Sequence, residues 1–174
     1  MRAPTRSYAP LLVGIAVFLI DCVSKFFVHQ YLPVMRHGWS WYPYGGIGVF
    51  QDFFGIEFSI THQVNSGAAW GLFADYQLPL LYLRIALIVI LLIYTLWFNK
   101  HTQWSIPLAL IIAGAVGNVF DYYVYGHVVD MFHFVLWGYD CPVFNVADTS
   151  IFFGVLWLFI ASSCEKPKKA ARRS

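Results

Sequence analysis

Asp130 and Asp148 are the residues of this chain best placed to do chemistry. Asp130 lies in GHVVDMFHF, Gly126 to Phe134, where apolar neighbours disfavour the charged form of a carboxyl and raise its pKa. Asp148 lies in FNVADTSIFFGVLWLFIA, Phe144 to Ala161, in the first turn of an expected helix, where unpaired backbone amides and the helix dipole suit a carboxylate. Two carboxyls in unlike surroundings can share one proton when they meet, one activating water and the other protonating. The spacing leaves a plainer duty open, because Asn145 stands three residues before Asp148 as in a capping box, and capping alone would justify both residues. His127 and His133 bracket Asp130, but no HExxH is present and an extended chain would point both rings away from the aspartate, so no metal is expected there.

The elements that must position these acids are membrane spans. Of 174 residues, 59% are hydrophobic and only 11% charged, and the mean hydropathy of +0.62 sets the chain apart from soluble domains. Apolar stretches run over 10–32, 77–98, 104–120 and 144–163. A helix needs about 20 residues to cross the hydrocarbon, so four transmembrane helices are expected, the third slightly short. Lipid requires every backbone polar group to be satisfied internally, and the alternation of a barrel is missing from these stretches. Arg2, Arg6, Lys100, Lys166, Lys168, Lys169, Arg172 and Arg173 fall on one side of this arrangement. That places both termini and the basic tail, 165–174, in the cytoplasm, and the segments 33–76 and 121–143 outside. The net charge of +2 follows from the tail, and no nucleic-acid partner is inferred. The first span is read as a retained helix, not a cleaved leader, because apolar residues resume beyond Lys25 with no small-x-small site. Cys22, Cys141 and Cys164 form no disulfide framework.

The exterior segments carry a strand signal. IEFSITHQ alternates Ile56, Phe58 and Ile60 against Glu57, Ser59 and Thr61, and NSGAAWG follows with a turn. A small sheet resting on the outer face of the membrane is the simplest assembly. GWSWYPYGGIGVFQDFF, before the strand, suits a loop at the headgroup boundary.

Other polar residues stand within or beside spans. Asp21 and Lys25 are four apart on the first helix, acid first, and counting from Pro10 puts Asp21 about 16 Å into the bilayer. A structural ion pair is one reading and a direct chemical role the other. In AGAVGNVFD, Gly114, Gly117, Asn118 and Asp121 recur at spacings of three and four, which predicts close helix packing with polar groups on one stripe. Arg84, in the second span, would snorkel to the headgroups or pair with an acid. Intramembrane acids also carry proton relays, so a proton-coupled transporter is the chief alternative to an enzyme; a purely structural subunit is another. The GxGD signature of presenilin-like proteases is not supplied by WGYD at Trp137 to Asp140.

DCVSK, NSGAAWG, GAVGNVFD, GHVVDMF and FNVAD occur in the order, and at the topological places, of the lipoprotein signal peptidases, signal peptidase II of bacteria. The chain resembles that family from Asp21 through the fourth span. The resemblance implies an α-helical membrane protein, four transmembrane helices with a small extramembrane β-cradle on the non-cytoplasmic side. It implies an aspartic endopeptidase of the bacterial inner membrane that cuts prolipoproteins just before a diacylglyceryl-modified cysteine, with Asp130 and Asp148 as the catalytic pair. Asn65, Gly67, Gly114, Asn118, Asp121, Asn145 and Ala147 match positions that shape or support the site, and Asp21 and Lys25 match the first-helix polar pair. The partners implied are lipidated prolipoproteins, membrane lipid and the cyclic peptide inhibitor globomycin; no cofactor or metal is implied, and a monomer is expected. The chain departs from the family in Tyr122, where Arg usually follows the aspartate matched by Asp121, in Cys22, where Gln is usual, and in a longer exterior segment before IEFSITHQ.

Overall fold

A computed structural model describes residues 7–35, 41–65 and 76–164. Helix α1 spans Ala9–Tyr31, α2 Gln77–Ile93, α3 Ser105–Tyr125 and α4 Val146–Ser163. A π-helical turn, Tyr94–Phe98, extends α2, and a single 3-10 turn, Thr102–Trp104, leads into α3. With these extensions the four spans have mean hydropathies of 2.3, 2.3, 1.5 and 1.6, long and apolar enough to cross a membrane. Their outward side chains, such as Leu11, Ile15, Leu19, Leu83, Leu87, Phe152 and Phe159, are large, apolar and exposed, as lipid-facing positions must be. α3 packs against α1, α2 and α4.

The sheet is larger than the one strand signal suggested. Strands β1 (Ile47–Phe53), β2 (Ile56–Asn65), β3 (Val128–Leu136) and β4 (Tyr139–Asp140) form one antiparallel sheet in that order. β3 is the strand that carries Asp130, and Gln63 of β2 stands opposite it. The register slips by one residue between Ile60 and Gln63, a bulge that re-aims the side chains of β2 where it approaches the helices. The sheet docks on the bundle through Val28 of α1 and Val129 and Met131 of β3, with Leu32, Ile60, Tyr125 and Phe132 packed around them.

The third helix runs five residues beyond the expected end at Phe120, so Asp121 lies within it and not in an exterior loop. Gly126 ends the helix, its φ of 78° fitting the left-handed cap and its N–H bonding Tyr122 O at 3.0 Å. β3 then begins two residues later, so the end of α3 and the start of the Asp130 strand are rigidly coupled. The first helix also reaches past the start of the fourth. Asp21 Oδ1 accepts the N–H of Ala147, in the first turn of α4, at 2.8 Å, which places Asp21 level with the sheet end of α4 instead of midway along the bundle. The three cysteines are free.

Candidate active site

One side chain joins the two aspartates. Asn145, fully buried at the N-cap of α4, donates from Nδ2 to Asp130 Oδ1 at 2.7 Å and accepts at Oδ1 from the N–H of Asp148 at 2.8 Å. Asp148 Oδ2 accepts the N–H of Asn145 at 3.3 Å, which completes a reciprocal capping box. Capping and approach to Asp130 are therefore two results of one local geometry. The second oxygen of each acid is held by another amide: Asn65 Nδ2 donates to Asp130 Oδ2 at 2.9 Å, and Asn118 Nδ2 donates to Asp148 Oδ1 at 2.8 Å.

The acids differ in exposure. Asp130 is 2% exposed, while Asp148 is half-buried at the mouth of a groove. Burial, together with the negative charge of Asp148, pushes Asp130 up to about 7 despite the opposing hydrogen bonds from Asn65 and Asn145. Near neutral pH Asp130 is poised to hold a proton, the property a general acid requires. The groove beside Asp148 has a volume of about 520 Å³ and is walled by Ile151, Phe152, Val155, Leu156 and Phe159. Ile151, Val155 and Phe159 recur every four residues on α4, a stripe readable in the sequence but not singled out there.

Behind the pair lies a second, fully buried polar cluster. Lys25 Nζ is 2.7 Å from Asp21 Oδ2, 2.7 Å from Asp121 Oδ2 and 3.0 Å from Asn118 Oδ1. Asn118 thus links the cluster to Asp148. Asp121 Oδ2 also accepts the N–H of Val129 at 3.3 Å, the residue before Asp130. Lys25 holds Asp121 directly, so a cation stands beside that acid with Tyr122 as its chain neighbour. Arg84 is half-buried on α2, which packs on α3.

Gly114 and Gly117 let this assembly close. A Cβ at Gly117 would meet Asp21 Oδ2 at 2.5 Å, and one at Gly114 would run into Ala147 O and Ser150 Oγ of α4. Ala147 itself is fully buried. Of the residues expected at the site, Asp21, Lys25, Asn65, Gly114, Asn118, Asp121, Asp130, Asn145, Ala147 and Asp148 all converge here, and Gly67 lies outside the described residues. Two contributors escaped the sequence reading. The backbone of Val129 bonds both Asp121 and Asn145, the latter through its carbonyl at 3.4 Å, and Ser150 Oγ bonds Leu110 O at 3.2 Å, tying α4 to α3. Neither leaves a strong sequence signal, since one acts through main-chain atoms and the other is a lone serine. His133 turns away from Asp130 and pairs with Asp140 at 2.7 Å, as strand alternation requires.

A family model described as Signal peptidase (SPase) II matches residues 13–164 of the chain. The chain belongs to the signal peptidase II family. The lipoprotein signal peptidase of Staphylococcus haemolyticus is 36% identical to it over 155 residues, covering 87% of this chain and 88% of that one. The lipoprotein signal peptidase of Chlamydia pneumoniae is 38% identical over 159 residues, covering 88% and 90%. A solved structure described as a bacterial membrane enzyme, determined in meso at 2.3 Å resolution, superposes with a TM-score of 0.77 at 26% identity, over 98% of this chain and 99% of that one. The fold of this member of the signal peptidase II family, four spanning helices with a small sheet, is thus shared with a bacterial membrane enzyme.

Proposed function

We propose that the protein is an aspartic endopeptidase that removes the signal peptide of diacylglyceryl-modified prolipoproteins by hydrolysis just before the lipidated cysteine. The observation that carries this reading is the bond of Asn145 to both Asp130 and Asp148, which brings two carboxyls of unlike burial to one place. Asp148, at the groove, takes a proton from a water molecule as that water adds to the scissile carbonyl carbon. Asp130, protonated, hydrogen-bonds the carbonyl oxygen and stabilises the charge that grows on it. The tetrahedral intermediate then collapses: the C–N bond breaks, the leaving nitrogen takes a proton from the pair, and the new carboxyl departs with the signal peptide. No covalent bond to the enzyme forms.

The apolar groove on α4 fits the hydrocarbon part of such a substrate, either signal helix or acyl chain. An exterior strand pressing an extended cleavage segment against the pair is a natural further element, but Phe144 already occupies the edge of β3 beside Asp130, donating to Phe132 O at 3.2 Å and accepting from Met131 at 3.0 Å. Among the described residues, the groove side of Asp148 offers a route of approach. The basic residues near the termini orient the sheet end to the outer face of the bacterial inner membrane.

A proton-coupled transporter is less well supported, because Asp21, Lys25, Asp121, Asp148 and Asp130 gather in one bonded cluster and do not mark a path along the helices. Incubating the purified protein in detergent with a lipidated prolipoprotein, with and without globomycin, tests the proposal. Cleavage before the lipidated cysteine that globomycin suppresses is expected. An intact substrate would contradict it.

A further inference from the structure

Three histidines converge where the sheet meets the helices, away from the carboxylate pair. His29 lies in the last turn of α1, His62 on the bulged stretch of β2, and His127 on the link between α3 and β3. One ring nitrogen from each lies within 4.8 Å of one from both others. The ring centroids of His29 and His62 are 5.3 Å apart, and those of His29 and His127 are 6.1 Å apart. Each ring also carries a buried nitrogen with no hydrogen-bond partner among the described residues: Nδ1 of His29, Nε2 of His62 and Nε2 of His127. Buried polar atoms are normally satisfied, so three orphans in one cluster point to a missing common partner.

We propose that His29, His62 and His127 form a binding site for a divalent transition-metal ion of the zinc class, which would clamp the sheet to the first and third helices. Zinc accepts three imidazoles at about 2.0–2.1 Å each, leaving a fourth position for water. Tetrahedral ligands at that distance sit about 3.3 Å from one another, so the three nitrogens, which lie within 4.8 Å, draw in on binding. The residue types agree, since imidazole suits zinc, copper and nickel and does not suit calcium or magnesium. His62 already has the outer support of a metal ligand: its Nδ1 bonds Leu32 O at 3.0 Å, which fixes the tautomer with a lone pair on Nε2. His62 is 3% exposed, and the parallel bridge of Val34 to His62, with Met35 N bonding His62 O at 2.7 Å, fixes its backbone as well.

The bulge in β2 gains a purpose from this assignment. It turns His62 toward α1 while leaving Asn65, three residues on, to bond Asp130. His127 is likewise three residues from Asp130, just before β3 begins. An ion here would stiffen both strands that present the carboxyl, without touching it.

The test uses the full-length protein carrying a tag without histidine, in detergent, stripped with chelator and titrated with zinc chloride. An Asp130→Asn, Asp148→Asn background removes the carboxylate pair as a competing site. One zinc per chain by calorimetry, and a Tm raised by zinc, are expected. His29→Gln and His127→Gln, chosen because neither is as buried as His62, should each keep the metal-free Tm yet weaken zinc binding about tenfold or more and abolish the rise. X-ray absorption at the zinc edge should show nitrogen neighbours at about 2.0 Å with imidazole scattering. Absence of saturable binding at micromolar zinc would overturn the proposal, as would binding and a Tm rise that survive both substitutions. Neither result depends on proteolysis, so failure here is distinct from failure of the peptidase reading.

Discussion

Asp21 and Asp121 are as deeply buried as Asp130, yet they share a lysine and it does not. Lys25 stands between the first two at 2.7 Å from each, whereas Asp130 and Asp148 are bonded by the neutral amides of Asn65, Asn118 and Asn145. A cation beside a carboxylate favours its charged form. An amide orients the carboxyl and leaves its proton to be decided by burial and by the other acid. On the proposed mechanism the same side chain thus serves as structure in one cluster and as reactant in the next, 9 residues further along the chain from Asp121 to Asp130. Asn118 belongs to both, accepting from Lys25 and donating to Asp148, so the ion cluster also helps to hold the carboxyl pair.

The sharpest way to break this contrast is to neutralise the acids. Asp130→Asn and Asp148→Asn keep shape but turn one accepting oxygen into a donor that faces another N–H, so each should lower turnover of lipidated substrate by about 10²–10⁴-fold with a modest fall in Tm. Lys25→Met should do the opposite. Leaving two buried carboxylates without their cation is expected to cost about 3–5 kcal/mol of stability, read as a large fall in Tm, and Lys25→Met with Asp21→Asn and Asp121→Asn should recover much of it. If Lys25→Met folds normally but is inactive, the distinction between the clusters is lost.

Asn145→Ala probes the joint between the two acids. It removes the helix cap and leaves Asp130 Oδ1 without a donor, and the expected loss is about 1–3 kcal/mol in chemical denaturation with a fall in activity at unchanged substrate affinity. The effect of pH is smaller and has a definite sign. Asp130 is raised to about 7, so the folded protein holds that proton where an unfolded chain has lost it. Its contribution to stability is fully present below the ordinary carboxylate range and is lost as pH rises through about 7. Activity that needs the proton should decline over the same alkaline side, a limb that a pH profile of kcat/KM would reveal.

Much of this site was legible before any coordinates. The apolar runs fixed four helices, and the environments of Asp130 and Asp148 differ in the sequence as they do in space. The extent of α3 was not legible: FDYYVY is polar and aromatic enough to read as a loop, and only its docking against α1 and β3 keeps it helical through Tyr125. Depth along the bundle was also missed, because counting residues from Pro10 cannot show that α1 overshoots α4 and brings Asp21 to Ala147. The histidines were hidden for the same reason. His127 and His133 look like a pair around Asp130 in the sequence, while the fold joins His127 to His29 and His62 and gives His133 to Asp140.

The most direct measurement compares single-turnover cleavage by Asp130→Asn, Asp148→Asn and the double variant, each shown to be folded by its Tm. If the two carboxyls act on one water as a unit, the double variant should be no slower than the slower single one. Losses that multiply, or a single variant that cleaves at the undiminished rate, would contradict the shared role of Asp130 and Asp148.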